Sequence, residues 1–189
     1  MAIIRMYMTV SLDGYVAGPR DSVDEPMGVG GFRLFNWLDR RNDPGPAGEV
    51  YAELLATRAL ISGRRTYELA DHWQGDHHDG VPVFVLTRSA PAEPAPGHAR
   101  YVTDVESCIA QAREAAGGRD VMVHGAAAAQ ACLRAGLLDE MEIQLVPVLL
   151  GQGRRLFDGL SPERVELELL RTLEGSDVLH LRYRVNVGG

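Results

Sequence analysis

Three short segments place hydroxyl, guanidinium and backbone N–H donors where a strand gives way to a helix or loop, and donors of that kind bind phosphate. Ser62-Gly63-Arg64-Arg65-Thr66 follows a short apolar run. Glycine admits close approach there, a helix start carries unpaired N–H groups and the positive end of the dipole, and Arg64, Arg65 and Thr66 add charge and a hydroxyl. Leu86-Thr87-Arg88-Ser89 follows the next strand. Its hydroxyl–guanidinium–hydroxyl order suits a phosphate monoester, which arginine binds bidentately. Val123-His124-Gly125-Ala126 runs on through three more alanines, and side chains this small leave backbone amides bare enough to touch a pyrophosphate. Each segment also has a plainer reading: a tight turn with surface arginines, ordinary polar residues after a strand, or alanines packed in a helix. Ligands of open α/β sheets gather at the carboxyl ends of strands, so three such segments together favour a phosphate-rich cofactor. The third is not a GxGxxG fingerprint, and the order of elements is not that of a Rossmann domain.

The elements that position these segments follow from pattern. Ile3 to Val10 reads as a buried strand, and Ser11 to Gly31, rich in glycine, as a long irregular loop. Helices are expected at Phe32 to Arg41, Ala47 to Thr57 and Gly63 to Leu69, with strands at Ala59 to Ser62 and Val81 to Leu86. Asp71 to Gly80 is a polar loop, and the proline-bearing stretch Ser89 to His98 an extended linker leading to a short strand at Tyr101 and Val102. Thr103 and Glu106 make a capping-box pair for the next helix, which Gly117 ends. Asp120 to His124 is a strand, Gly125 to Ala135 a helix and Met141 to Leu149 a strand. Val165, Leu167 and Leu169 alternate before the turn at Gly175. Leu179, Leu181, Tyr183, Val185 and Val187 alternate with His180, Arg182, Arg184 and Asn186 after it. That is an antiparallel hairpin with one wetter face. Strand–helix repeats closed by a hairpin predict an α/β fold with a mixed sheet covered by helices, over one domain spanning residues 1–189.

Composition narrows the class. Nineteen basic against 26 acidic residues give a net charge of −7, with no run of Lys and Arg to track a nucleic acid. Cys108 and Cys132 have neither metal nor redox spacing and read as small core residues. No apolar run approaches the roughly 20 residues of a membrane helix, and Ala2 to Val10, interrupted by Arg5, lacks a signal-peptide pattern. A cytoplasmic protein with a small-molecule substrate, and neither nucleic-acid nor membrane partner, is the expectation. Asp71-His72 and Asp76-His77-His78-Asp79 tempt a metal reading, but without helical register or a matching ligand pair they read as a solvated loop, so no metal site is expected.

Four motifs in chain order carry a resemblance. They are Ser11-Leu12-Asp13-Gly14-Tyr15-Val16-Ala17, Gly63-Arg64-Arg65-Thr66-Tyr67-Glu68, Val85-Leu86-Thr87-Arg88, and Gly136 to Glu140 continuing through Pro147 to Phe157. Together they resemble the dihydrofolate-reductase-like superfamily, in particular the C-terminal reductase domain of the riboflavin-pathway deaminase–reductase. The resemblance implies an NADPH-dependent reductase on a three-layer αβα fold whose mixed sheet is mainly parallel. It implies that Gly63, Arg64, Arg65 and Thr66 hold the pyrophosphate and adenosine side, that Thr87 and Arg88 select the 2′-phosphate, and that Thr9, Val16 and Ala17 line the nicotinamide. The family's Gly-Gly pair, commonly joined by a cis bond, falls on Gly125 and Ala126, a departure that sets a methyl near the phosphates. Relatives are often homodimers, and the C-terminal hairpin offers an edge for one.

The same comparison shows what is missing. Alignment on Trp37 puts Leu34 where dihydrofolate reductases carry a carboxylate, with Asp39 on another face, so dihydrofolate is not the expected substrate. The Ser/Arg-rich segment that serves a ribityl phosphate is not found between Gly18 and Thr57 either. Asp13 is the candidate polar group at the pocket, with capping of its own turn as the competing role. His124 is a candidate acid or hydrogen-bond donor, and a structural strand-end histidine otherwise. Phe35 and Trp37, with Tyr67, either wall a flat substrate or belong to the core. Two classes of function follow: hydride transfer to a small, flat, conjugated or heterocyclic substrate, or a non-catalytic nucleotide-binding module of the same fold. A structural oligomer with no ligand is the third.

Overall fold

β1 (Ile4–Ser11) is buried at every position, because helices cover its sheet on both sides. The computed structural model describes residues 2–93, 97–160 and 164–186. The expected prolines Pro94 and Pro96 and the alternating Val187 lie outside them. The other strands of the main sheet are β3 (Ala59–Gly63), β4 (Val83–Leu86), β5 (Arg100–Val102), β6 (Val121–His124), β7 (Glu140–Val146), β9 (Glu166–Glu174) and β10 (Leu179–Asn186). Their order is β5-β4-β3-β6-β1-β7-β10-β9. Pairing is parallel from β5 through β7, and antiparallel where β10 meets β7 and β9. A separate ribbon joins β2 (Tyr15–Ala17) to β8 (Arg154–Arg155). The mixed, mainly parallel α/β architecture expected from the sequence is the one observed.

On one side of the sheet, α3 (Val105–Ala115) and α4 (Ala126–Arg134) pack on Ile4, Met6, Met8 and Val10. Cys108 and Cys132 lie in that layer, unpaired, and burial pushes both thiols up to about 12. On the other side, α1 (Pro46–Leu55) and a 3₁₀ segment, Gly31–Arg40, bring Leu34, Trp37, Ala47 and Val50 onto Val146 and Val178. Beside them α2 (Arg64–Leu69) sets Tyr67 against Tyr7, Leu60, Val85 and Met122.

Several expectations are corrected. Phe32 to Arg41 forms 3₁₀ turns, not an α-helix. The cap of α3 is Asp104, whose carboxylate accepts from the Ser107 N–H at 2.7 Å, one residue beyond the Thr103–Glu106 pair. Aspartate is at least as good an N-cap as threonine, and it shifts the helix start by one. The loop after β1 is not wholly irregular, since it contains β2. The segment 71–80 is not simply solvated: His78 is buried, with its ring Nε2 near the Thr57 hydroxyl and carbonyl, and His77 packs on Trp73.

The hairpin alternates as expected, but neither face is uniformly the wet one: Val185 is buried with Leu181 and Tyr183 packed against the core, while Arg184 and Glu168 of the polar face are half exposed. Leu167, Leu169 and Leu179 are 41%, 55% and 38% exposed, whereas His180 is fully buried. The polar face is covered only around Arg171 and Arg182, where α1 supplies ion partners. Glu53 pairs with Arg171 and Arg182, and both arginines also reach the buried Glu142 of β7.

His180 has no hydrogen-bond partner for either ring nitrogen among the described residues, and it stands edge-on to Trp37, ring centroids 5.2 Å apart. Burial, reinforced by Arg171, pushes its pKa down to about 4. The unfolded chain therefore takes up this proton first, near pH 6.5. Stability is whole above that pH and is lost as pH falls towards 4, with a slope of up to about 1.4 kcal/mol per pH unit. In His180→Phe the decline between pH 6.5 and 4 should be shallower by that amount, read from urea unfolding at several pH values. Equal slopes in both proteins would refute this account of the ring.

Candidate active site

The carboxyl ends of β1, β3 and β6 open on a cleft of about 1140 Å³. Its walls come from separate stretches of chain for identifiable local reasons. Gly125 links β6 to α4 at φ 94, ψ 136, a conformation that only glycine adopts readily. A Cβ there would lie 2.9 Å from the Thr66 Cβ, so the α4 start and α2 approach as closely as a bare backbone allows. No side chain caps α4. Its first turn keeps unpaired N–H groups beside Ala126 and Ala127, which line the cleft. The Gly125–Ala126 bond is trans, as are all peptide bonds of the described residues. Opposite, Gly153 lets β8 run against Ala17 and Gly18, where a Cβ would meet the Gly18 carbonyl carbon at 2.9 Å. Arg155 lies over the Tyr15 ring at 4.7 Å and donates to its hydroxyl at 3.1 Å.

Of the residues singled out in the sequence, Thr9, Val16, Ala17, Phe35, Gly63, Arg65, Thr66, His124, Gly125 and Ala126 line this one cleft. Trp37 does not. It is core, and its indole N–H donates to the Thr9 hydroxyl at 3.1 Å, fixing a residue that does line it. Arg64, Thr87 and Arg88 also lie off the lining. They follow strand ends beside it: Gly63, which lines the cleft, pairs with Leu86, and Arg64 reaches the Ser89 carbonyl at 3.5 Å.

Asp13 is held away from a role in the pocket by its own bonds. Its carboxylate accepts from the Ser11 hydroxyl at 2.6 Å, the Leu150 N–H at 3.1 Å and the Gly151 N–H at 2.7 Å. The Ser11 bond, then those amides, holds its pKa below the usual carboxylate range. The carboxylate pins the turn after β1 to the chain leaving β7, which is the capping reading extended to a distant loop.

His124 is partly buried at the cleft wall, and desolvation lowers its pKa, so the ring is neutral at pH 7. The Tyr7 carbonyl can only accept, so Nδ1, 3.1 Å away, carries the proton. Nε2 is then an acceptor, and a neutral ring of this kind is a poor proton donor.

Sequence reasoning missed Trp73, Asp21 and Arg154. Trp73 reaches the wall through a left-handed turn in which Asp71, His72, Trp73 and Gln74 have φ of 48°, 56°, 48° and 52°. Each such residue costs roughly 1–2 kcal/mol. The turn is held by ring contacts of Trp73 with His77 at 4.7 Å and Tyr67 at 5.6 Å, and no local sequence signal announces it. Asp21 lies between Arg65 and Arg154. Burial opposes its ionisation, but the two guanidinium groups outweigh that and lower its pKa.

The comparisons with known proteins agree with this geometry. The family model of the RibD C-terminal domain matches residues 2–181, and the chain belongs to that family. An uncharacterised protein of Bacillus subtilis, YwjB, is 28% identical over 190 residues, covering 94% of this chain and 95% of its own. A putative riboflavin biosynthesis protein from Shewanella sp. PV-4 superposes with a TM-score of 0.72 at 25% identity, covering 98% and 99% of the two chains. The riboflavin biosynthesis reductase Rib7 of Saccharomyces cerevisiae shares the fold, with a TM-score of 0.61 at 15% identity over 98% of this chain and 90% of its own. The fold is that of the dihydrofolate-reductase-like reductases, and the chain is a RibD-type, reductase-like domain.

Proposed function

We propose that the protein is an NADPH-dependent reductase that passes a hydride to a small, flat, conjugated or heterocyclic substrate. The observation that carries this reading is the one cleft shared by a bare, uncapped helix start, four arginines (Arg20, Arg65, Arg154 and Arg155) and the end of β1. At about 1140 Å³ it exceeds the usual range for one drug-sized ligand, so a dinucleotide and a second molecule can share it. Gly63, Arg65, Thr66, Gly125 and Ala126 would hold the diphosphate, Arg64, Thr87 and Arg88 the adenosine end, and Thr9, Val16 and Ala17 the nicotinamide. The cofactor supplies the hydride. The protein's part is to orient two flat rings between Phe35 and Trp73, to exclude water and to offer the His124 acceptor; most of the rate comes from such positioning. Asp13 has no direct part. The second reading, a nucleotide-binding module without turnover, draws on Leu34 and on the fully engaged Asp13 carboxylate.

Titration with NADPH and with NADH tests the proposal. NADPH at 100 times its Kd should stabilise the native state by about 2.7 kcal/mol, seen as a rise in Tm with enhanced nicotinamide fluorescence. An unchanged Tm would end the reductase and module readings together, and an equal response to NADH would remove the role given to Arg88. We also read the exposed Leu167, Leu169 and Leu179 as the face of a homodimer. In the same melts Tm should then climb with protein concentration, and a constant Tm would argue for a monomer. We read it as acting on metabolites in the cytoplasm; among the described residues no helix is long and apolar enough to cross a membrane.

A further inference from the structure

Asp21 stands between two arginines from distant parts of the chain. Arg65 reaches it through Nε to Oδ2 at 3.1 Å and Nη2 to Oδ1 at 3.0 Å. Arg154 does so through Nε to Oδ2 at 3.3 Å and through Nη2 to Oδ1 and Oδ2 at 3.4 and 3.1 Å. Both carboxylate oxygens therefore meet both guanidinium forks, and all three residues line the cleft. The aspartate side chain is only 13% exposed, whereas Arg65 and Arg154 keep 49% and 44% of their surface open. Two forks set around two anionic oxygens suit phosphoryl oxygens equally well. The arginines' open surfaces let solvent screen their hold on Asp21, and a phosphate ester carrying up to two charges draws both guanidinium groups more strongly than a single carboxylate does.

The loop that carries Asp21 is closed on itself. Gly18 N–H donates to the Met27 carbonyl at 2.8 Å and Val29 N–H to the Pro19 carbonyl at 3.0 Å, so withdrawing the Asp21 carboxylate breaks neither bond. We propose that Arg65 and Arg154 form a phosphoryl-binding site, and that Asp21 fills it as an internal stand-in until an anionic ligand displaces it. The phosphoryl group comes from the cofactor's diphosphate or from a phosphate ester on the substrate. Only the first source rests on the NADPH reading above.

Asp21→Asn, Asp21→Ser and Arg154→Gln separate the possibilities, with NADPH followed by fluorescence and inorganic phosphate by calorimetry, both at low salt. The Asp21 variants should bind their anion about three to five times more tightly than the parent, and Arg154→Gln about tenfold more weakly. Tighter NADPH binding assigns the site to the cofactor. Unchanged NADPH binding with tighter phosphate assigns it to a phosphorylated substrate. If the parent ignores NADPH and the phosphate response survives, the cofactor reading falls and this one stands. Asp21 variants that bind both probes no better than the parent overturn the proposal and leave Asp21 as a structural strap. Loop anchorage is controlled for, because Arg65 also donates to the Asp21 backbone carbonyl at 2.9 Å, which substitution retains, and ligand-free Tm values check the fold.

Discussion

Arg182→Met should lower stability by about 3–5 kcal/mol, the loss expected when one member of a buried ion set is removed and its partner is left uncompensated. Arg182 is 13% exposed and donates to Glu142, fully buried, at 2.6 Å, and it also pairs with Glu53 of α1. Arg171 reaches the same two carboxylates. Burial pushes the Glu142 pKa up and the two arginines pull it back, with burial the larger influence. Its second oxygen has no partner among the described residues, so Glu142 depends on Arg182 for compensation. Without Arg182, Glu142 must either keep a charge with a single arginine 3.3 Å away or take up a proton. Urea midpoints should fall accordingly, with Tm lower by on the order of 10 °C. Adding Glu142→Gln to Arg182→Met should recover part of the loss, because the stranded charge goes with it. A loss under about 1 kcal/mol in Arg182→Met would place this cluster with ordinary surface pairs.

That cluster also shows why some of the molecule was legible in sequence and some was not. Period-two alternation in Leu179–Asn186 identified a strand and its two faces, because alternation is a property of one strand alone. Which face is covered depends on what packs there, and Glu53 lies 118 residues from Arg171. The strand-end segments around Gly63 and Gly125 were legible as breaks after apolar runs, although only Gly125, at φ 94, makes a backbone demand for glycine; Gly63 is ordinary extended backbone. Their meeting in one cleft with Thr9 was implied by the family resemblance and is visible in the structure, where Phe35 joins them as the wall its type allowed. Asp13 went the other way. Its type and its glycine neighbour advertise a polar site, but its partners Leu150 and Gly151 come from a loop that no local pattern assigns to it. Trp73 and Arg154 were missed because tertiary packing alone brings them to the cleft.

Gly125→Ala tests the junction on which the cofactor reading rests, and it should be the most damaging single methyl in the cleft. At φ 94, ψ 136 an alanine incurs roughly 1–3 kcal/mol of backbone strain. Its Cβ would also press on Thr66, 2.9 Å from that residue's Cβ and closer still to the hydroxyl. Thr66 is β-branched and stiff at χ1, so it cannot swing aside cheaply, and overpacking of this kind adds about 1–3 kcal/mol. Stability should fall by about 2–6 kcal/mol in total. NADPH affinity should fall at least roughly tenfold, since the amides at the start of α4 move relative to Arg65 and Thr66. Thr66→Ala in the same chain removes the hydroxyl and methyl contacts but keeps the Cβ at 2.9 Å, so it should return part of the overpacking loss, leave the φ strain, and set the double variant between parent and single. Fluorescence titration on folded Gly125→Ala protein decides the matter: affinity equal to the parent's would mean that the β6–α4 junction is not where the diphosphate rests.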